Sequence, residues 1–508
     1  MVRWFLVVVV VVALVLFALY NIAGRGAPPR LTIDKPDRIV GQTGSLEVTA
    51  EAPNARFTSL AITLEQDGRT VTLFALNGVP TATITHVGDN QIRISRPLGR
   101  QSVPELRSGA ARIVVTATRP AVLNLLTALT PRATLTSTAT KDIQVRLDPP
   151  RITVVSVHHY VNHGGSELVV YRATPPDVES GVRVGAIEYP GYPASGAGAS
   201  GAEPALKAAF FALLHDQPLN APITAFARDE AGNEARAMLV DNVFEKPFKK
   251  SRIELDDTFL NRVVPEILQR SRELKTAPPV EGGDMLPAFL TINGDLRKMN
   301  GDTIAGIARH TSPMRLWKGP FVQLGNSQVE ASFADHRTYF YKGKEVDRQI
   351  HLGFDLTVTA NVPIVAANDG IVLHAGWLGI YGNGIIIDHG MGVQSLYGHL
   401  SSFDVKVGDR VTKGQTVGRS GMTGLAGGDH LHFTMLVDGH AVTPVEWWDA
   451  HWVEDRVDRK LREAGARSST AGAPAAAESP PSRPSRPGAT FIRSQRGSFS
   501  QIASLRSQ

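Results

Sequence analysis

The rhythm of hydrophobic and polar positions divides the chain. From about Pro28 to Asp148, apolar and polar residues alternate in RLTIDKP, SLEVTAEA, LAITLEQDGRTVTLFAL, QIRISRP and ARIVVTATRP. Period two with β-branched residues is the signature of half-buried strands. Asp67-Gly68 supplies a hairpin turn. A β-sandwich is expected over residues 28–148. The run VLNLLTALT fits a strand or a short helix equally well. Pro149-Pro150 marks a boundary, and RITVVSV, SELVVYRAT, VRVGAIEYP and ITAFARDEAGNEARAMLV predict a second β domain over 149–245. Within it GYPASGAGASGAEP reads as a loop and ALKAAFFALL as a short helix.

The rhythm changes at residue 246. DDTFLNRVVPEILQRSREL has helical spacing with acids at its start, and Pro265 is expected to kink or split it. DLRKMNGDTIAGIARHT reads as another helical piece, so residues 246–320 form a helical connector that could cover the domain after it. The β pattern returns, rich in glycine, over 321–450. A charged helical run, VEDRVDRKLREAG, follows. Residues 465–508 carry six arginines against a lone acid, Glu478, and almost no core-forming residues. Residues 451–508 are therefore expected to be a short helix and a disordered basic tail.

The N-terminus opens with seventeen apolar residues, Trp4 to Tyr20, with aromatics at both ends. That length and those flanks predict a transmembrane anchor over residues 1–25, with a cleaved signal peptide as the rival reading. The fold class is thus mainly β: a transmembrane helix, two β-sandwich domains, a helical connector and a C-terminal antiparallel β domain. Net charge is +5, and no basic stripe with interleaved aromatics argues for nucleic acid. The chain has no cysteine, which excludes disulfides, thiolate metal sites and cysteine nucleophiles. Any metal must be held by His, Asp or Glu.

Three short stretches in the last β region carry candidate chemistry. They are HLGFD at 351–355, LYGHL at 396–400 and GGDHLHF at 427–433. Residues two apart on a strand share a face, so His430 and His432 lie side by side with Leu431 turned away. Together the stretches offer His351, Asp355, His399, His430 and His432. A catalytic zinc needs three protein ligands, an open position and a further acid or base. Each fragment alone occurs by chance; their joint appearance in one domain is specific.

The region around these stretches resembles the lysostaphin/LytM-type zinc endopeptidases of bacterial cell walls. That family carries H-x-x-x-D, a middle histidine and H-x-H, which stand here as HLGFD, YGHL and HLH. GIYGNGIIIDHG, SLYGHLSSFDVKVGDRVTKGQTVGRSGMTG, VTPVEWWD and ASFADHRTYFYKGKEVDRQ agree with it. The resemblance covers about 321–450. It implies that His351, Asp355 and His432 bind Zn2+, and that His399 and His430 flank a zinc-activated water. His430 is the general base on this reading, and His399 bonds the nucleophile or the developing oxyanion. Tyr339, Tyr381 and Asn383 are candidate groove residues. The substrate would be peptide cross-links of peptidoglycan, and the setting the periplasmic side of the inner membrane, with room for a regulatory protein partner. DEAGNEA, residues 229–235, resembles a turn of bacterial immunoglobulin-like modules, which makes the second β domain immunoglobulin-like.

Other signals carry less. His158, His159 and His163 in HHYVNHGG look metal-like but lack a nearby carboxylate. His374, His389 and His440 complete no better ligand set, and His389 reads as a turn residue. VKVGDRVTKGQTVG resembles half of a lipoyl carrier, but Lys413 lacks the small or Met neighbours of a modified lysine. The alternative function is a non-enzymatic wall-binding or hydrolase-activating protein on the same fold; such relatives lack the metal ligands that this chain retains.

Overall fold

The computed structural model describes residues 27–53, 56–88, 90–120, 134–274 and 283–471, with residues 4, 9–15 and 17 near the N-terminus. Part of the Trp4–Tyr20 run (residues 5–8, 16 and 18–20), all of VLNLLTALT and the tail beyond residue 471 lie outside the described residues. Among the described residues, no helix is long and apolar enough to cross a membrane. Strands make up 46% of the described residues and helices 18%, so the described structure is mainly β.

The N-terminal region folds as two sheets around one core. One sheet runs Arg30–Lys35, Ser45–Glu51, Gln91–Pro97, Thr83–Gly88; the other runs Ile39–Val40, Thr134–Val145, Gly109–Pro120, Ser59–Gln66, Arg69–Ala75. Alternation decides which side chains meet. Leu46, Val48 and Ala50 of the first sheet and Ile62, Ile113 and Val115 of the second are buried in the shared core, and the residues between them are not fully buried.

The second β region differs from its sequence reading at ALKAAFFALL. Leu206–Leu213 is a strand, paired antiparallel with Gly165–Thr174 on one side and with Tyr192–Pro193 on the other. A fully buried strand is apolar on both faces, so its pattern cannot be told from a buried helix, and tertiary pairing overrides the helical propensity of alanine. A short helix, Ala194–Ala197, also sits inside the glycine-rich stretch read as a loop.

This β region shares one core with the C-terminal domain, running from Val161 to Ala464. At the joint the ring of Phe210 lies 6.3 Å from that of Trp317 and 5.6 Å from that of Trp447. Beside the rings, Glu446 is buried. Its Oε1 accepts from Asn162 Nδ2 at 2.7 Å, and its Oε2 accepts from Ser166 N at 2.8 Å and Ser166 Oγ at 3.1 Å. Gly165 is required here, since a Cβ on it would stand 2.3 Å from Glu446 Oε1. The C-terminal helix adds a second tie, a buried Lys460–Glu167 pair at 2.8 Å.

The connector departs from a purely helical reading. Lys250–Leu255 is a strand, paired in parallel with Asp335–Tyr341, which in turn pairs antiparallel with Lys344–His351. Its alternating apolar residues, Ile253 and Leu255, are too few to stand out from the helical text that follows. Helix Asp257–Arg270 starts where Asp256 caps it by accepting from Phe259 N, and it runs through Pro265 without a break. Leu260, Val263, Val264 and Ile267, spaced for one face, bury that face against Phe289, Tyr339 and Ile380. This packing offsets the hydrogen bond lost at the proline. Helices Leu286–Thr291 and Arg297–Ala308 follow, joined by a π-bulge at Ile292–Leu296.

The C-terminal domain centres on an antiparallel sheet in the order Gln328–Ala331, Phe354–Thr357, Leu431–Val437, Val393–Leu400, Asn383–Gly390, Gly370–Trp377, Arg410–Val411. His440–Val442 pairs with Leu431–Val437 off this path. His389, read as a turn residue, is fully buried in strand Asn383–Gly390, bonded to Asp369 O and Ser395 Oγ.

Burial raises the Glu446 carboxyl to about 7, against the opposing pull of its bonds to Asn162 and Ser166. The folded state therefore holds the proton more tightly than the unfolded chain. The stability this contributes is complete below about 4.5 and is lost as pH rises through about 7, on the order of 3 kcal/mol in all. Urea unfolding at pH 5 and pH 7.5 should show Glu446→Gln gaining on the wild type by that order between the two. Parallel behaviour of the two proteins would contradict it.

Candidate active site

Strand pairing assembles the site. Leu431–Val437 lies between Phe354–Thr357 and Val393–Leu400, with Asp355 opposite His432 and His432 opposite Gly398. His351 ends strand Lys344–His351. His399 follows Gly398 with φ at +64°, a left-handed conformation uncommon for a residue other than glycine. His430 pairs with Gly421 just before the central strand. All five are buried. Gly353 of HLGFD keeps the floor clear, since a Cβ there would stand 2.5 Å from His432 Nε2.

Three donor atoms converge. His351 Nε2 is 2.9 Å from Asp355 Oδ1 and 3.0 Å from His432 Nδ1, and His432 Nδ1 is 3.0 Å from Asp355 Oδ1. His430 Nε2 stands 3.4 Å from the same oxygen. The His399 ring lies 4.8 Å from that of His430 and 5.8 Å from that of His432.

The hydrogen-bond network assigns the ring protons. His351 Nδ1 donates to Ser332 O at 3.2 Å. The Thr434 hydroxyl donates to Leu352 O, so it accepts from His432 Nε2 at 3.0 Å. His399 Nδ1 donates to Thr423 O at 2.8 Å, and His430 Nδ1 to Gly428 O at 2.9 Å. Each histidine thus keeps its proton on the outer nitrogen. The facing nitrogens of His351 and His432 both carry lone pairs, so no hydrogen bond joins them, and both face a carboxylate oxygen. Three lone pairs at 2.9–3.0 Å repel unless a cation sits among them. Two neutral imidazoles and one carboxylate are a ligand set suited to zinc, whose tetrahedral donors stand roughly 3.4 Å apart. Among the described residues, His351, Asp355 and His432 are the group that converges in this way.

Electrostatics agree. Burial works to raise the Asp355 carboxyl, but the imidazoles packed around it, His351 first and then His430 and His432, hold it well below the usual range, so it stays an anion. Burial takes His432 down to about 4, which keeps it neutral. Burial holds His399 well below its ordinary value. His430 is also pulled down by burial, but the neighbouring Asp355 carboxylate leaves it raised.

A cavity of ≈170 Å³ stands over these residues. Tyr339 and Tyr381 line it, with the Tyr381 ring 5.2 Å from that of His432. Asn383 is not in its lining; its Oδ1 accepts from Arg270 of the connector at 2.9 Å. The connector supplies the roof through Ile253, Leu255, Phe259, Phe289 and Arg297. Arg262 Nη2 donates to Ala426 O at 2.6 Å, Gly424 N donates to Glu266 Oε2 at 3.4 Å, and Trp377 Nε1 donates to Ser271 Oγ at 2.9 Å. The Arg270 guanidinium stacks 4.0 Å over the Trp377 ring.

The remaining histidines lie elsewhere. His159 bonds Ser156 Oγ, His163 bonds Gln217 O, and the His440 ring packs edge-on to Tyr189. None of His158, His159, His163, His374, His389 or His440 belongs to the converging group. Two residues that hold the site were not singled out in the sequence, Thr434 and Arg337. Thr434 is two residues beyond His432 on the same strand face, a spacing that would have pointed to it. Arg337 Nη2 donates to Asp355 Oδ2 at 3.0 Å, a contact across sheets with no local signal.

Residues 349–444 match the sequence profile of Peptidase family M23. The DD-carboxypeptidase/endopeptidase Mpg of Neisseria meningitidis is 38% identical over 97 residues, 19% of this chain and 22% of that protein. The peptidoglycan DD-endopeptidase ShyA of Vibrio cholerae is 26% identical over 187 residues, 36% of this chain and 40% of that protein. Lysostaphin of Staphylococcus staphylolyticus is 40% identical over 92 residues, 18% of this chain and 19% of that protein. The chain therefore spans less than half the length of each.

Thr434 fixes which nitrogen of His432 faces inward. Thr434→Val keeps the shape and removes the acceptor. It should weaken zinc binding about tenfold to a hundredfold, read by competition with a chromophoric chelator. An unchanged affinity would contradict this role.

Proposed function

We propose, from the premise that residues 349–444 form a peptidase family M23 domain, that the protein is a zinc metalloendopeptidase hydrolysing peptide cross-links of peptidoglycan. The observation that carries the reading is the meeting of three unprotonated donors, His351 Nε2, Asp355 Oδ1 and His432 Nδ1, in a buried cavity. These residues are the proposed zinc ligands. Zinc held there supplies Lewis acidity for a peptide carbonyl and lowers the pKa of a water toward about 7.

The chain's own groups move the protons. His430 keeps its proton on Nδ1 through Gly428 O, so Nε2 is free to take a proton from water and pass it to the leaving amine. His399, held neutral by its burial and with its proton turned to Thr423 O, accepts a hydrogen bond from the nucleophile and orients it. As a neutral ring with its proton outward it is no donor to an oxyanion, which favours the nucleophile side of the two roles expected from the sequence. Tyr339 and Tyr381 close the cavity walls against water.

The endopeptidase activities named for Mpg and ShyA, the latter on peptidoglycan, support peptide cross-links of peptidoglycan as the substrate. A substrate of that kind belongs outside the cytoplasm, and the Trp4–Tyr20 run supports an anchor in the inner membrane with the β domains, the second immunoglobulin-like, on the periplasmic side. The cavity is smaller than the several hundred Å³ usual for a bound ligand. The connector therefore restrains the site, and a regulatory partner or the substrate itself displaces it.

Defined cross-linked muropeptides, digested and read by mass, test the activity. His351→Ala and His432→Ala should abolish cleavage, and His399→Ala and His430→Ala should each slow it by on the order of 10²–10⁴. Cleavage at wild-type rate by either ligand variant would refute the reading. In the same assay Arg262→Ala with Arg270→Ala, which loosens the roof, should raise the rate severalfold. An unchanged rate would rule out restraint by the connector.

A further inference from the structure

Arg337 lies outside the three motifs. It sits on strand Asp335–Tyr341, two residues after Asp335, so the two side chains share a face. Asp335 is the register partner of His351 across the ladder. Arg337 Nη2 donates to Asp355 Oδ2 at 3.0 Å, and its Nε lies 3.5 Å from Asp335 Oδ2. Asp335 is 1% exposed, and its Oδ1 has no hydrogen-bond partner. Among the described residues, no other arginine or lysine is within ion-pair distance of either carboxylate. One guanidinium therefore stands between two buried acids, one of them in the donor set.

A carboxylate offers a metal one oxygen or two, and its terminal torsion is soft. In this site the histidine nitrogens gather on Oδ1 alone, at 2.9, 3.0 and 3.4 Å. Oδ2 is taken by Arg337. A charge-assisted bond there fixes the carboxylate plane and keeps the second oxygen out of competition for the ion. Asp335 holds the guanidinium from the other side. The two acids belong to different sheets, so the bond also fixes strand Phe354–Thr357 against strand Asp335–Tyr341.

We propose that Arg337 is a positioning residue that makes Asp355 a one-oxygen metal ligand, with Asp335 as the anchor that aims it. The proposal rests on the reading of His351, Asp355 and His432 as a zinc site. Lysine cannot replace this geometry, because its single ammonium lacks the fork that reaches two acids at once.

The test uses the full chain, freed of metal and titrated with Zn2+ against a chromophoric chelator, then with Co2+ for its visible absorption. Arg337→Met should lose about tenfold to a hundredfold in zinc affinity. Its cobalt spectrum should weaken as Asp355 turns to offer both oxygens and the coordination number rises. Arg337→Lys should fall between, and Asp335→Asn, which keeps the arginine but frees it, should show a smaller loss in the same direction. If Arg337→Met does not fold, the lysine and asparagine variants carry the test by the same two readouts. Wild-type affinity and an unchanged cobalt spectrum in the variants would overturn the proposal alone. A wild-type protein that binds neither ion would overturn the zinc reading, and this proposal with it.

Discussion

The site depends on where four imidazole protons are placed. Ser332 O, Thr434 Oγ1, Thr423 O and Gly428 O draw them to the outer nitrogens of His351, His432, His399 and His430. The inner nitrogens of His351, His432 and His430 are left as lone pairs around one carboxylate oxygen. Such a cluster is unfavourable in a buried site unless a cation joins it. The fold must therefore hold repelling donors together before the ion arrives, which only a rigid frame can do. Three adjacent strands of one antiparallel sheet, with Asp355 opposite His432 and His432 opposite Gly398, supply that frame.

The frame is braced from two sides. Behind it, the second β region is part of the same core, through Phe210, Trp317 and Trp447, the buried Glu446 and the Lys460–Glu167 pair. In front of it, the connector enters as a strand and crosses the cavity as helices. Arg262, Glu266 and Arg270 bond to the C-terminal domain, while Phe259 and Phe289 line the cavity. The back is dry and packed, suited to permanence. The front mixes apolar contact with hydrogen bonds between the connector and the C-terminal domain.

What could be read in advance was local. HLH names two residues on one strand face, and His430 and His432 both reach Asp355 Oδ1. HLGFD spans the end of one strand and the start of the next, so its two donors meet across a short turn. The residues that stayed hidden act across sheets. Arg337 reaches Asp355 from another ladder, and Lys250–Leu255 is a strand only because Asp335–Tyr341 offers it an edge. ALKAAFFALL misled for the same reason, since burial on both faces erased its period. Pro265 looked like a break, yet it lies on the exposed side of a helix whose other face, with Val263 and Ile267, is held by packing that composition does not reveal.

Zinc K-edge X-ray absorption of the zinc-loaded protein tests the central claim most directly. The account predicts one ion per chain, with nitrogen and oxygen neighbours at about 2.0–2.1 Å. The outer-shell scattering should be that of two imidazoles, the rings of His351 and His432. A fit requiring three or four imidazoles would make His399 or His430 a ligand and contradict the assignment. So would a protein that retains no zinc at all.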